Sequence, residues 1–76
     1  MTLEHFNRIT QNPDIMGGKP CIRGMRLTVS RILSQIGAGE AIDDLLIDYP
    51  YLERDDILQS LQYAAWLAQG YEVAIT

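Results

Sequence analysis

At 76 residues the chain has room for one domain, since compact domains run from about 50 to 250 residues. One cysteine and one histidine exclude an internal disulfide and a four-ligand structural zinc site. A core of this size supplies only about 3–5 kcal/mol, so it looks to a partner chain for support, and a homo-oligomer is expected.

The net charge of −4 conceals two unlike halves. Residues 1–31 hold five Lys and Arg against two acids, a net of +3, whereas residues 32–76 hold only Arg54 against eight acids, a net of −7. No apolar run approaches the ~20 residues of a membrane span. Glu4, Asn7, Arg8 and Gln11 make the first fifteen residues unlike a secretion signal. A cytoplasmic protein without membrane contact is expected.

Taken along the chain, residues 1–28 form an irregular arm with short strands. Gly17, Gly18, Gly24, Pro13 and Pro20 forbid a long helix there. Phe6–Thr10 and Cys21–Val29 are rich enough in apolar and β-branched residues for extended pieces, and Asn12-Pro13-Asp14 and Gly17-Gly18 read as turns. From Thr28 the period changes. Val29, Ile32, Leu33 and Ile36 make the stripe of an amphipathic helix near 29–37, with Thr28 as N-cap. A second helix is predicted near 42–48, with Asp43 and Asp44 in its first turn and Pro50 beyond its end. The third and longest runs near 54–69, with Glu53 at its cap, Asp55 and Asp56 in its first turn, and Gly70 expected to stop it. The helical core thus spans residues 29–70. Residues 71–76 alternate Tyr71, Val73 and Ile75 with Glu72, Ala74 and Thr76, which predicts a terminal strand.

At 100° per residue, Ile57, Leu61, Ala64, Ala65 and Ala68 share the expected core face of the third helix. Trp66 falls opposite, beside Asp55, Gln59 and Gln62. A tryptophan in a polar stripe is either covered by the terminal strand or the N-terminal arm, or it anchors another chain.

Catalysis has little to work with. His5 stands alone, and Cys21 between Pro20 and Ile22 reads as a small apolar residue rather than an activated thiolate. Neighbouring carboxylates, as in Asp43-Asp44 and Asp55-Asp56, do not converge from a helix onto one metal. Gly18-Lys19 fails as a phosphate loop, with Pro13 at the first glycine position and Pro20 at the hydroxyl position. No enzyme, cofactor or metal is expected.

The second and third helices, joined through Tyr49-Pro50-Tyr51-Leu52, have the lengths of a helix-turn-helix. Gln59 and Gln62 could address adenine edges, with Arg54 at the start of the helix, but little nearby neutralises a phosphate backbone.

The motif Asn12-Pro13, Gly18-Lys19-Pro20, Ile22-Arg23-Gly24, Arg26-Leu27, Val29, Gly39, Asp48-Tyr49-Pro50, Leu52 and Asp56-Ile57 resembles the small prokaryotic domain-of-unknown-function family four hundred and thirty-three, over about residues 7–65. Met25 and Ala41 depart from a pattern that favours small hydroxylated residues there. The resemblance implies a mainly α, three-helix, homeodomain-like core with short N-terminal strands. It also implies similarity to the antitoxin halves of toxin–antitoxin pairs, whose partner is a PIN-like ribonuclease.

Two functions follow. In the first, an antitoxin-like protein neutralises a PIN-like nuclease, with Lys19, Arg23 and Arg26 occupying its acidic site and Tyr63, Trp66 and the terminal strand giving apolar contact. The alternative role of those cations is to brace the acidic half of their own chain. In the second, a dimeric helix-turn-helix regulator binds duplex DNA through Arg23, Arg26, Arg31, Arg54, Gln59 and Gln62.

Overall fold

A computed structural model describes the backbone of residues 2, 3 and 5–75 and the side chains of residues 5–70. Three short strands, β1 (Thr2–Leu3), β2 (Phe6–Thr10) and β3 (Cys21–Ile22), form an antiparallel sheet in the order β1-β2-β3. Ile9 pairs with Ile22 across β2 and β3, and both are buried, which fixes the inner face of the sheet. Between these strands the Asn12 side chain accepts from the Asp14 N–H at 2.9 Å. The chain then reverses at Met16–Gly18, where Gly17 and Gly18 take the positive φ values that glycine adopts without strain.

The extended piece expected over Cys21–Val29 is shorter than predicted. Arg23 (φ 44°) and Gly24 (φ 73°) turn the chain back, so that the Ile22 N–H donates to the Leu27 carbonyl and Thr28 bridges to Cys21. A non-glycine residue in the left-handed region is uncommon. Arg23 is held there by its N–H bond to the Arg8 carbonyl at 2.8 Å and by its side-chain contacts.

Three helices follow: α1 (Val29–Gly37), α2 (Ile42–Asp48) and α3 (Arg54–Ile75). Thr28 caps α1, its hydroxyl accepting from the Arg31 N–H at 3.2 Å. Ala41 provides no such bond to α2, whose first turn instead carries Asp43 and Asp44. The starts of all three helices agree with the sequence pattern; the end of α3 does not. Gly70 does not stop it, and the strand expected over 71–76 is replaced by helix as far as Ile75, Thr76 lying outside the described residues. An interior glycine costs a helix only about 1 kcal/mol, and the strong helix formers before it, from Leu61 to Gln69, carry the helix past that cost.

Ile9, Ile22, Leu27, Val29, Ile32, Leu45, Leu52 and Ile57 make one core drawn from the sheet, the loops and all three helices. The protein is therefore mainly α, with its small sheet packed on the first half of α3. The core face of α3 is rotated from expectation toward Asp56 and Ser60, which are fully buried with Ile57. Ala65 and Ala68, assigned to that face by periodicity, are exposed. The core ends near Ala64. A helix of 22 residues is about 33 Å long, so α3 continues past the body that covers its first half.

Candidate partner-binding face

The cations of the N-terminal arm divide into two groups. Arg8 on β2 and Arg23 in the turn after β3 converge on Asp56 in the first turn of α3. Arg8 Nη1 lies 2.9 Å from Asp56 Oδ1 and 2.5 Å from Glu53 Oε1. Arg23 grips the same carboxylate with two nitrogens, Nε to Oδ1 at 3.1 Å and Nη2 to Oδ2 at 2.9 Å, and also donates to the Tyr51 carbonyl at 2.9 Å. Asp56 Oδ2 further accepts the Glu53 N–H at 2.9 Å. An acidic side chain at the third helical position thus reaches back to the cap residue and satisfies a donor that the helix leaves unpaired. Burial alone would push the Asp56 carboxyl up, but the bonds from Arg23, the Glu53 N–H and Arg8 outweigh it and hold its pKa below the ordinary value of 3.8. The bond to Asp56 in turn raises the Arg23 guanidinium.

Two further bonds fasten β2 to α3. The Arg8 N–H donates to Gln59 Oε1 at 2.7 Å, and Gln59 Nε2 donates to Asn7 Oδ1 at 3.0 Å. Sequence reasoning placed neither Arg8 nor Asp56 at a site. The signal that could have found Asp56 is its place at the third helical position, three residues after Glu53 at the cap; Arg8 had no local signal.

Arg23 was expected to act on a partner rather than in the fold. Its guanidinium is instead spent on Asp56 and Tyr51, because the turn that gives it a positive φ aims it at the start of α3. Lys19 and Arg26 are different. Both are exposed, and among the described residues neither side chain has a hydrogen bond or ion pair.

Lys19 stands at the rim of an open apolar groove of about 340 Å³, walled by Pro20, Val29 and Leu33 on one side and by Tyr63 and Leu67 of α3 on the other. Beside the groove, Phe6, Tyr63 and Trp66 form an aromatic cluster. Phe6 meets Tyr63 edge-on at 5.3 Å between ring centres, and Trp66 lies 5.7 Å from Phe6 and 5.9 Å from Tyr63. The N-terminal arm thus touches Trp66 through Phe6 without covering it, since Trp66 remains 54% exposed and Leu67 42%. Arg26 lines no part of this groove.

The residues considered for DNA are largely engaged within the molecule. Arg23 holds Asp56, Arg31 donates to the Tyr49 hydroxyl at 3.0 Å, Arg54 pairs with Asp43, and Gln59 bonds β2. Arg26 and Gln62 are exposed. Cys21 is buried, and burial pushes its thiol up, away from the reactive thiolate. Among the described residues no three His, Cys, Asp or Glu side chains gather in a way that could hold a metal, and no helix is long and apolar enough to cross a membrane.

Residues 9–64 match the family model described as a protein of unknown function, DUF433. An uncharacterized protein, y4eO, of Sinorhizobium fredii (strain NBRC 101917 / NGR234) is 34% identical over 56 residues, which are 74% of this chain and 25% of that protein. The chain therefore spans about a quarter of the length of that relative. The crystal structure of a DUF433 member from Anabaena variabilis ATCC 29413 superimposes with a TM-score of 0.77 at 26% identity, covering 91% of this chain and 68% of that one.

Proposed function

We propose, from the premise that the chain belongs to the DUF433 family, that it is a non-enzymatic, antitoxin-like protein of the cytoplasm that binds and restrains a PIN-like ribonuclease. The observation that carries this reading is the half of α3 that leaves the core, where Trp66 and Leu67 stay exposed beside the groove rimmed by Lys19. Aromatic side chains that shed a large, rigid surface on docking supply most of the energy of protein interfaces. A free ammonium at the rim suits a partner whose catalytic centre is a cluster of carboxylates. Lys19 is the cation placed for that task, and Arg26 a second charge that steers approach from further off.

The helix-turn-helix alternative gains less. Four of its six side chains already hold bonds within the molecule, so a duplex would have to compete with those contacts. The test is co-purification with the product of the neighbouring gene, with Trp66→Ala and Lys19→Glu as variants. Loss of the complex with unchanged melting of the free variants supports the proposal. A complex that withstands both changes, or tight binding to duplex DNA that falls steeply with salt, overturns it.

A further inference from the structure

The groove rimmed by Lys19 has two matched walls and one charged end. Each wall is a pair of side chains four residues apart on a helix, Val29 and Leu33 on α1 and Tyr63 and Leu67 on α3. Four residues rise about 6 Å, so each wall is about one helical turn long. The Pro20 carbonyl accepts the Val29 N–H at 3.0 Å, which holds Lys19 beside the start of α1 and so at one end of the groove. Lys19 is the single lysine of the chain, and among the described residues its side chain has no hydrogen bond or ion pair. No acidic side chain among the described residues lines the groove.

We infer that this groove takes one amphipathic helix of a partner protein, which lays two large apolar side chains between the walls and offers a carboxylate to Lys19. The inference rests on the proposed function in that this face binds a partner, and it names what the partner inserts. About 150 Å³ of apolar space admits one benzene-sized group, so a groove of about 340 Å³ has room for two apolar side chains. The inserted element is a helix because both walls are side chains of helices, whose backbone bonds are made internally. An extended segment would bring its own N–H and C=O groups against Leu33 and Leu67 with nothing to receive them, whereas a helix arrives with its backbone satisfied. A ridge of side chains from a third helix seats between two ridges of this kind. Charge sets the remaining contact. A basic residue at the Lys19 end is repelled and an apolar one strips water from an unpaired ammonium, whereas an acid pairs with it. The occupant's stripe therefore runs from an acid at one end to apolar residues one and two turns away.

Because Lys19 is the only lysine, a carbodiimide, which condenses an amine with a carboxylate touching it, reads this one side-chain contact. Applied to the complex with the neighbouring gene's product, it should join Lys19 to an Asp or Glu of the partner, and Lys19→Arg should keep the complex while abolishing that link. Mass spectrometry of the linked peptide is expected to show large apolar residues about four and about eight positions from the acid, on one side of it. Exchanging the linked acid for lysine should weaken the complex at least about tenfold, equal to about 1.4 kcal/mol, and Lys19→Glu should restore it. A complex that forms without a Lys19 link, a link to an acid lacking that pattern, or Lys19 joined instead to a second copy of this chain overturns the inference and leaves the proposed function standing. Failure to form any complex overturns the proposed function, and the inference with it.

Discussion

Replacing Asp56 with alanine removes a fully buried carboxylate that accepts from four nitrogens: Arg8 Nη1, Arg23 Nε and Nη2, and the Glu53 backbone. Breaking a buried ion pair by deleting one partner costs about 3–5 kcal/mol. The two arginine side chains left behind are 26% and 37% exposed and their guanidinium groups can turn to water, which places the loss for Asp56→Ala near the lower end, about 3 kcal/mol. For a domain of this size that lowers Tm by about 12–24 °C. Because the whole core supplies only about 3–5 kcal/mol, Asp56→Ala is expected to be substantially unfolded near its parent's working temperature. Asp56→Asn, which keeps an acceptor for the Glu53 N–H but loses the charge, should fall between the two. Far-UV circular dichroism during heating, with a urea titration in parallel, reads both. A fall in Tm of less than about 4 °C, under 1 kcal/mol for a chain this short, would refute the claim that this carboxylate ties the arm to the helices.

The same carboxylate sets a pH dependence. Its pKa is lower in the folded state than its ordinary value of 3.8, so its contribution is complete above that value and is lost as pH falls through the folded pKa. Melting recorded between pH 6 and 2 should show this slope in the parent and a shallower one in Asp56→Asn; equal slopes would count against it. Arg23→Ala should lower the melting temperature of the free protein, whereas Arg26→Ala should leave it unchanged, since the Arg26 side chain has no partner among the described residues. Thr28→Ala removes the cap of α1 and should cost about 1 kcal/mol by urea unfolding; no change would mean that the Thr28 hydroxyl does not cap α1 in solution.

Elements with a strong local signal were legible in the sequence. The Val29, Ile32, Leu33 and Ile36 stripe with Thr28 before it gave α1 its bounds, and Pro50 and Glu53 bracketed the gap between α2 and α3. What the sequence hid was long-range. Asp55 and Asp56 read alike as first-turn charges, yet the Asp55 side chain is 71% exposed and that of Asp56 is fully buried. The difference lies in Arg8 and Arg23, which stand 48 and 33 residues away in sequence and become neighbours only when β2 and β3 pack on α3. The alternation of residues 71–76 was a true period-two pattern, but the backbone bonds of a continuing helix prevailed as far as Ile75. Trp66 was correctly placed away from the core face, and its contact with Phe6 again depended on the distant arm.

The fastening of β2 to α3 joins residues 7 and 8 to residues 53, 56 and 59, and this has a consequence for how the protein is made. At about 5–20 residues per second, the first strands wait several seconds on the ribosome before the carboxylate that anchors them exists. During that wait the arm can form its hairpin but has nothing to close upon, and the positive φ of Arg23 goes uncompensated. Closure of the arm on the helices is thus deferred until Asp56 has emerged, and a product ending before that residue lacks the lock altogether.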